Sequence, residues 1–511
     1  MTLDKAPWRR DALAALSGVL LVLSFPKFGH GAVAWIALGP LLLALPGARG
    51  WQAFRLGYVT GAVSAFGLLY WTALVVAQYG GLSLPVSIAI MTLLCLAFAC
   101  FPALFAWLLA GWLSSFGLRA LFVAPVAWVA TEVLRAYTFF RFPWCLLGYS
   151  QQRHLPFIQI ASVTAVYGVS FLLAESGATL AYLALERDRR RRRTAALGLV
   201  AMMASVFLLG LWLLYRPLPV TGVVRVGLVQ ANIAQDEKWD PSSAEENLRK
   251  HVDLTAAAAL RGARLVVWPE SAVPYRFDEN QGLAEELKAL SRGRGLYLLF
   301  GNDDRRFEAG PEARYYVGAK MLSPEGDLVL RYHKIRLVPF GEYVPMQPLI
   351  TLGGRVAAKL VQQVSDFSPG DAPRTGLVDG RRIGAFICYE AIFPDLVRQF
   401  TREGADLLVN VTNDAWYGRT SAPHQHLAMA AFRAVENGKY LVRAANTGIS
   451  AVVDPRGRVL ERTPLFEPAA LVRDVPLVPG QTFYSRHGDV FAWACFAAAL
   501  VLTLQSLRRH H

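Results

Sequence analysis

The chain has 511 residues, a net charge of +14 and 18% charged residues, where ordinary soluble domains carry ~25%. Its mean hydropathy is +0.33, which excludes a wholly water-soluble protein. The positive excess would suggest nucleic acid in a soluble chain, but here arginines crowd into residues 187–193 directly after an apolar stretch, so a membrane surface is the expected partner and nucleic acid is not.

From the amino terminus, a basic start (Arg9, Arg10) leads into the first apolar stretch with no small-residue cleavage site behind it, which reads as an uncleaved span. Apolar stretches fall at 12–25, 32–45, 56–77, 84–112, 120–134, 158–185, 195–215 and 490–507, eight in all. A bilayer crossing needs about 20 apolar residues, so the first two are short. Were that pair a re-entrant hairpin, the sidedness of everything downstream would be unchanged. Arg9, Arg10, Arg49, Arg55, Arg119, the 187–193 run, Arg508 and Arg509 share one side when the spans alternate. That side is expected to be the cytoplasm, which puts both termini inside and the soluble segment outside, in the periplasm of a Gram-negative cell. Arg135, Arg141 and Arg153 break the pattern on the outer side, around a packed-looking loop at 142–151. They read either as a snorkelling interfacial belt or as lipid headgroup ligands. Glu132 and Glu175 lie within spans, where an interhelical hydrogen bond is the expected use of a carboxylate.

Between the seventh and eighth spans the composition becomes that of a globular domain. Short apolar strands are predicted at 224–230, 265–268, 296–301, 316–322, 383–388, 406–410, 442–446 and 449–454. They are interleaved with helices at 244–261, 281–292 and 426–437, an α/β layered pattern. Prolines near 217–219 and 479 set the borders: residues 1–218 hold seven transmembrane helices, 219–485 the soluble domain, and 486–511 the eighth helix and a tail. Of five cysteines, Cys95, Cys100, Cys145 and Cys495 lie in or beside apolar segments, leaving Cys388 alone in the soluble part without a local disulfide partner.

Three segments place a reactive side chain at or just past a strand: Trp268-Pro269-Glu270-Ser271, Tyr332-His333-Lys334 and Ile387-Cys388-Tyr389-Glu390. A thiol must lose its proton before it attacks a carbonyl. Glu270 is suited to accept that proton, and Lys334 to favour the thiolate and then stabilise an oxyanion. A carboxylate beside an ammonium serves as a base only if desolvation offsets the pairing, so the site should be buried beneath aromatic side chains. Singly, each residue has a bland alternative: a core cysteine, a loop carboxylate, a surface amine.

These segments resemble the nitrilase superfamily. Together with the spans and the stretch Leu337-Val338-Pro339-Phe340-Gly341-Glu342-Tyr343-Val344-Pro345, the chain resembles its membrane-bound branch, the apolipoprotein N-acyltransferases, over nearly its whole length. The resemblance implies an αββα sandwich for the soluble domain, with Glu270 as general base, Lys334 as transition-state stabiliser, Cys388 as nucleophile and Glu342 as a supporting carboxylate. It also implies Trp239, Tyr343, Tyr389, Glu390 and Trp416 as substrate-side residues. The stretches Gln230-Ala231-Asn232, Asn413-Asp414-Ala415-Trp416-Tyr417-Gly418, Arg433 to Glu436 and Asn446-Thr447-Gly448 follow the family too, whereas Cys145 departs from it. The implied reaction moves an acyl chain from a phospholipid onto Cys388 as a thioester, then onto the α-amine of a diacylglyceryl-cysteine lipoprotein. No cofactor is expected, and the protein is expected to be a monomer.

Residues 346–364, with Leu349, Ile350, Leu352, Val356, Leu360 and Val361, read equally as an apolar arm dipping into lipid or as a helix covering the domain's own core. His424 and His426 lack a third ligand at a recognised spacing, so no metal is expected. A tethered amide hydrolase would share the three reactive residues without needing the spans. A transporter would need a path of intramembrane charges, and Glu132 and Glu175 do not make one; a lipoprotein escort would not need the thiol.

Overall fold

The computed structural model describes residues 7–138, 141–273, 275–307, 313–344 and 366–509. The 346–364 segment lies outside them.

The amino-terminal part is helical: α1 (Pro7–Leu23), α2 (Ala34–Ala37), α3 (Gly39–Ala44), α4 (Trp51–Leu69), α5 (Trp71–Tyr79), α6 (Leu84–Phe116), α7 (Ala124–Tyr137), α8 (Leu155–Ile158), α9 (Ala161–Leu185) and α10 (Arg189–Tyr215). The stretch expected as a second span is two short helices, because Pro40, in the first turn of α3, has no N–H to continue α2. The third is bent by 50° between α4 and α5. By length and apolarity four helical runs qualify to cross a membrane among the described residues, or five with the bent pair; one of them, Leu84–Tyr137, takes α6 and α7 together. Helix α4 lies close on α6: a Cβ on Gly57 would stand 2.3 Å from the Pro102 carbonyl oxygen, and one on Gly61 2.7 Å from Ala99 Cα. Only glycine permits that approach, the usual device where apolar helices pack in lipid.

Of the two carboxylates expected to bond between helices, Glu132 of α7 has Ser170 of α9 as a side-chain hydrogen-bond neighbour, whereas Glu175 bonds within its own helix. Glu132 accepts from Trp128 Nε1 at 3.1 Å within α7 and from the Leu147 amide of the outer loop at 2.8 Å. Glu175 accepts from Thr179 Oγ1 at 2.8 Å within α9. Each accepts one bond from a donor a helical turn away in its own helix.

The soluble domain starts with β1 (Gly222–Gln230), α11 (Ala244–Leu260), β2 (Leu265–Val267), α12 (Gln281–Arg294) and β3 (Tyr297–Gly301). The hairpin β4 (Asp304–Phe307) and β5 (Ala313–Tyr316) follows, then β6 (Gly318–Leu322) and β7 (Leu328–His333). The second half holds β8 (Thr375–Val378), β9 (Arg381–Ile387), α13 (Pro394–Arg402), β10 (Leu407–Thr412), α14 (Ala422–Asn437), β11 (Tyr440–Ala445), β12 (Ala451–Val453), β13 (Val459–Arg462) and β14 (Ala469–Leu477). Helices α15 (Phe483–His487) and α16 (Val490–Arg508) end the chain.

Two six-stranded sheets form, in the orders β14-β1-β2-β3-β6-β7 and β13-β12-β11-β10-β9-β8. Their inner faces share one core: Val226, Leu228, Val267 and Met321 from the first meet Ile383, Ala385, Val409 and Val442 from the second. A separate cluster seats α11 and α12 on the outer face of the first sheet, through Leu248, Ala258, Leu283 and Leu287 against Val266, Leu298 and Phe300. Helices α13 and α14 cover the second sheet, completing four layers. Helix α14 is buried along nearly all its length, because its far side packs on α9 of the helical part.

Candidate active site

Sheet topology brings the three reactive residues to one end of the sandwich. Strands β1, β2 and β3 are parallel, and the two reversals through β6 return β7 to their direction. Glu270 and Lys334 therefore both leave carboxyl ends, of β2 and β7. Cys388 leaves the carboxyl end of β9, parallel to β10 in the facing sheet. Ligand chemistry gathers at such strand ends because loops there are free of ladder hydrogen bonds.

Lys334 Nζ, fully buried, donates to Glu270 Oε1 at 3.0 Å and to Glu342 Oε1 at 2.5 Å. The second oxygen of each carboxylate takes a backbone amide: Glu270 Oε2 from Asn413 at 3.0 Å and Glu342 Oε2 from Val338 at 2.8 Å. Burial pulls the Lys334 pKa down, but Glu270 and Glu342 together raise it well above the ordinary lysine value, so the side chain is an ammonium. Burial outweighs Lys334 at Glu342 and lifts its carboxyl to about 7.

Cys388 is 4% exposed and Glu270 6%. The cysteine opens the 3-10 turn Cys388–Ile392 with φ 47°, a left-handed conformation that costs a non-glycine residue about 1–3 kcal/mol and persists only when neighbours hold it. They do so here. Glu390 Oε2 accepts the Ile387 amide at 2.7 Å, and His426 Nε2 donates to the Cys388 carbonyl at 3.2 Å. Burial first and Arg443 second lower the His426 pKa, so the ring is neutral. Its Nδ1 lies 3.0 Å from both Arg443 Nη2 and Asp414 Oδ1. Arg443 in turn donates to Asp414 Oδ2 at 2.7 Å. The thiol is pushed up to about 12, by burial first and by Glu270 second, with Lys334 opposing. At neutral pH the resting sulfur keeps its proton, so attack requires handing that proton to a base during the step.

An aromatic wall covers the site, as burial of the charges requires. Trp71 of α5 meets Trp144 and Tyr417 at 5.0 Å each, and Phe142 stacks on Tyr389 at 6.3 Å. The loop carrying Phe142 and Trp144 is held by Arg135, whose Nε donates to the Phe142 carbonyl at 3.2 Å and whose Nη2 donates to that of Trp144. Trp144 Nε1 reaches Gln425 Oε1 of α14 at 2.8 Å. Arg135 is thus a brace for the loop and has no need of a lipid headgroup.

The five residues expected on the substrate side are placed differently from one another. Tyr389 is buried, with a hydroxyl that has no hydrogen-bond partner among the described residues. Tyr343 is half-buried beside Glu342. Trp416 is partly exposed and lies edge-on to Tyr79 at 4.7 Å. Trp239 ends the turn Glu237–Trp239, and its side chain lies outside what is described. Glu390 is fully buried and turned inward: besides Ile387 it accepts from Tyr332 Oη and the Ile335 amide at 2.7 Å and the Arg336 amide at 3.2 Å. With both oxygens filled, it ties the Lys334 loop to the Cys388 turn instead of facing substrate. Asn413, His426 and Lys238 belong to the site as well, and sequence reading did not single them out as such.

The sequence has counterparts in known proteins. A carbon-nitrogen hydrolase model covers residues 225–482, and an apolipoprotein N-acyltransferase N-terminal domain model covers residues 17–179. The apolipoprotein N-acyltransferase of Geobacter metallireducens is 44% identical over 99% of this chain and 98% of its own length. The chain belongs to the apolipoprotein N-acyltransferase family. The family member from Azotobacter vinelandii is 35% identical over 98% of this chain and 95% of its own. Among solved structures, an amidase of the nitrilase superfamily from Nesterenkonia sp. AN1 aligns at 25% identity over 53% of this chain and 96% of that one, with a TM-score of 0.39. The family combines an acyltransferase of lipoprotein biosynthesis with apolar helices, and both parts are present here in one chain.

Proposed function

We propose that the protein transfers a fatty acyl chain from a membrane phospholipid, through a thioester on Cys388, to the α-amine of a diacylglyceryl-cysteine at the start of a lipoprotein. The observation that carries this reading is Lys334 clamped between Glu270 and Glu342 beside the strained Cys388 turn.

Cys388 passes its proton to Glu270 while the sulfur bonds to the ester carbonyl carbon. Lys334 stabilises the oxyanion, and collapse breaks the ester C–O bond as Glu270 returns the proton to the departing lysophospholipid oxygen. The acceptor amine then attacks the thioester, gives a proton to Glu270, and the C–S bond breaks as the thiol is reprotonated. Glu342 keeps Lys334 in place, and Tyr389, Tyr343, Trp239 and Trp416 lie on the substrate side. Water is excluded by the aromatic wall, since a thioester exposed to solvent would hydrolyse.

The chain crosses the inner membrane eight times with both termini cytoplasmic, the 54-residue run Leu84–Tyr137 folding back at Gly117–Val123. At ~1.5 Å per residue that run is far longer than a ~30 Å hydrocarbon core. The catalytic domain faces the periplasm, and the protein acts as a monomer. Purified protein incubated with phospholipid alone should gain one acyl mass on Cys388, discharged by a diacylglyceryl-cysteine peptide and absent in Cys388→Ala. Discharge by water at the same rate as by the peptide would instead favour an amide-hydrolase type of chemistry.

A further inference from the structure

Against the main chain of Glu270 lies a second ammonium that the reaction as drawn does not use. Lys238, 7% exposed, donates from Nζ to the Glu270 main-chain carbonyl at 2.9 Å. The charged and titratable groups facing it are Glu270, Asp303, Cys388 and His251. Burying an ammonium is costly unless it is paired, and nothing about the fold of the Glu237–Trp239 turn requires a lysine at this position.

The geometry points to Lys238 as a positioning residue of the acyl-transfer centre, fixing the Glu270 peptide and adding positive potential at the Cys388 sulfur. Lys334 is held between two carboxylates, so much of its charge is already compensated. The sulfur has Glu270 and Asp414 as anionic neighbours. A second cation on the Glu270 main chain offsets that anionic field without taking either carboxylate oxygen, because Lys238 binds the peptide carbonyl. The same burial pulls Lys238 down to about 8, with Glu270, Asp303 and Cys388 acting to keep it charged. The proposal rests on Cys388 being the nucleophile.

The test reads the thiolate directly. The full chain in detergent is treated with iodoacetamide at a fixed near-neutral pH, below the Lys238 value of about 8, and alkylation of Cys388 is followed by site-resolved mass spectrometry. Below the thiol's pKa the rate follows the thiolate fraction, so half a pKa unit is a ~3-fold change. Lys238→Met should slow alkylation at least ~3-fold and Lys238→Arg should restore most of it. Asp303→Asn removes an anion that keeps Lys238 charged and should slow it as well. A merely structural lysine would act in the opposite sense, since loosening the site exposes the sulfur. Alkylation of a folded Lys238→Met protein at the parental rate or faster overturns the proposal. If that variant does not fold, a parental or faster rate in Asp303→Asn overturns it. Acyl-thioester formation on Cys388 from phospholipid, measured in the parental chain, tests the acyl-transfer reading separately.

Discussion

Glu436 of the catalytic domain accepts the backbone amide of Val166 in α9 at 3.1 Å, a bond that exists because α9 is broken one residue earlier. Ala165 has φ 53° and ψ −162°, so the Val166 N–H has left the helical ladder and needs an acceptor. Arg433, one turn away, donates to the same Glu436 oxygen and to Tyr149 Oη, both at 2.8 Å. Helical part and catalytic domain are therefore joined by a buried ion pair that also caps a broken helix.

Glu436→Gln should destabilise the protein by roughly 3–5 kcal/mol, because it leaves the Arg433 charge buried without its counterion. Thermal melting in detergent checks this. Glu436→Gln combined with Arg433→Met should recover part of the loss; a double variant no better than the single would show that the ion pair is not the source.

Glu342→Gln should lower the acylation rate on the order of 10²-fold while leaving the melting temperature nearly unchanged, since Lys334 keeps Glu270 but loses the second brace that fixes its position. With the Glu342 carboxyl lifted to about 7, the parental rate should fall as pH drops through that value. The variant's rate should lack this limb.

Glu390→Gln should be worse tolerated than its conservative appearance suggests. Four donors converge on the carboxylate, and an amide group would turn one acceptor oxygen into a donor facing donors. A loss of about 2–3 kcal/mol is expected, together with loss of thioester formation as the Cys388 turn relaxes. Tyr332→Phe removes a single one of these bonds and should cost about 1 kcal/mol.

His251 gives a pH signature independent of activity. Nδ1–H donates to the Asn247 carbonyl at 2.8 Å, and burial lowers the ring to about 4. Below pH ~6.5 the unfolded chain takes up a proton that the folded ring refuses, so stability should fall as pH drops from there to about 4. The loss from this group is up to about 3 kcal/mol. Melting temperatures across that range should decline less steeply in His251→Gln; an identical slope would assign the acid sensitivity to other groups.

The site was legible in sequence where chemistry and local structure coincide. Glu270, Lys334 and Cys388 each follow a short apolar strand, and the strand-then-reactive-residue pattern is visible without coordinates. Lys238 carries no such mark: between Glu237 and Trp239 it reads as a surface charge, and its burial depends on Asp303 and Glu270, distant in sequence. Glu390 was expected on the substrate side because it adjoins Cys388, but in a tight 3-10 turn the residue two positions on points back into the protein. Among the elements, β14 escaped notice because Arg473, Asp474 and Pro476 interrupt its apolar pattern. It is an edge strand paired only with β1, and edges tolerate charge and proline. The eight apolar stretches all hold helix, but the break between α2 and α3 and the bend between α4 and α5 depend on packing that hydropathy does not encode.

Enclosure of α14 between the second sheet and α9 has a kinetic corollary. A domain mounted so firmly cannot swing out to fetch its reagents, so the reacting sulfur keeps a constant elevation over the lipid plane. Donor and acceptor must reach it by two-dimensional diffusion, and turnover should scale with their mole fraction in the bilayer, not with their amount per volume of buffer.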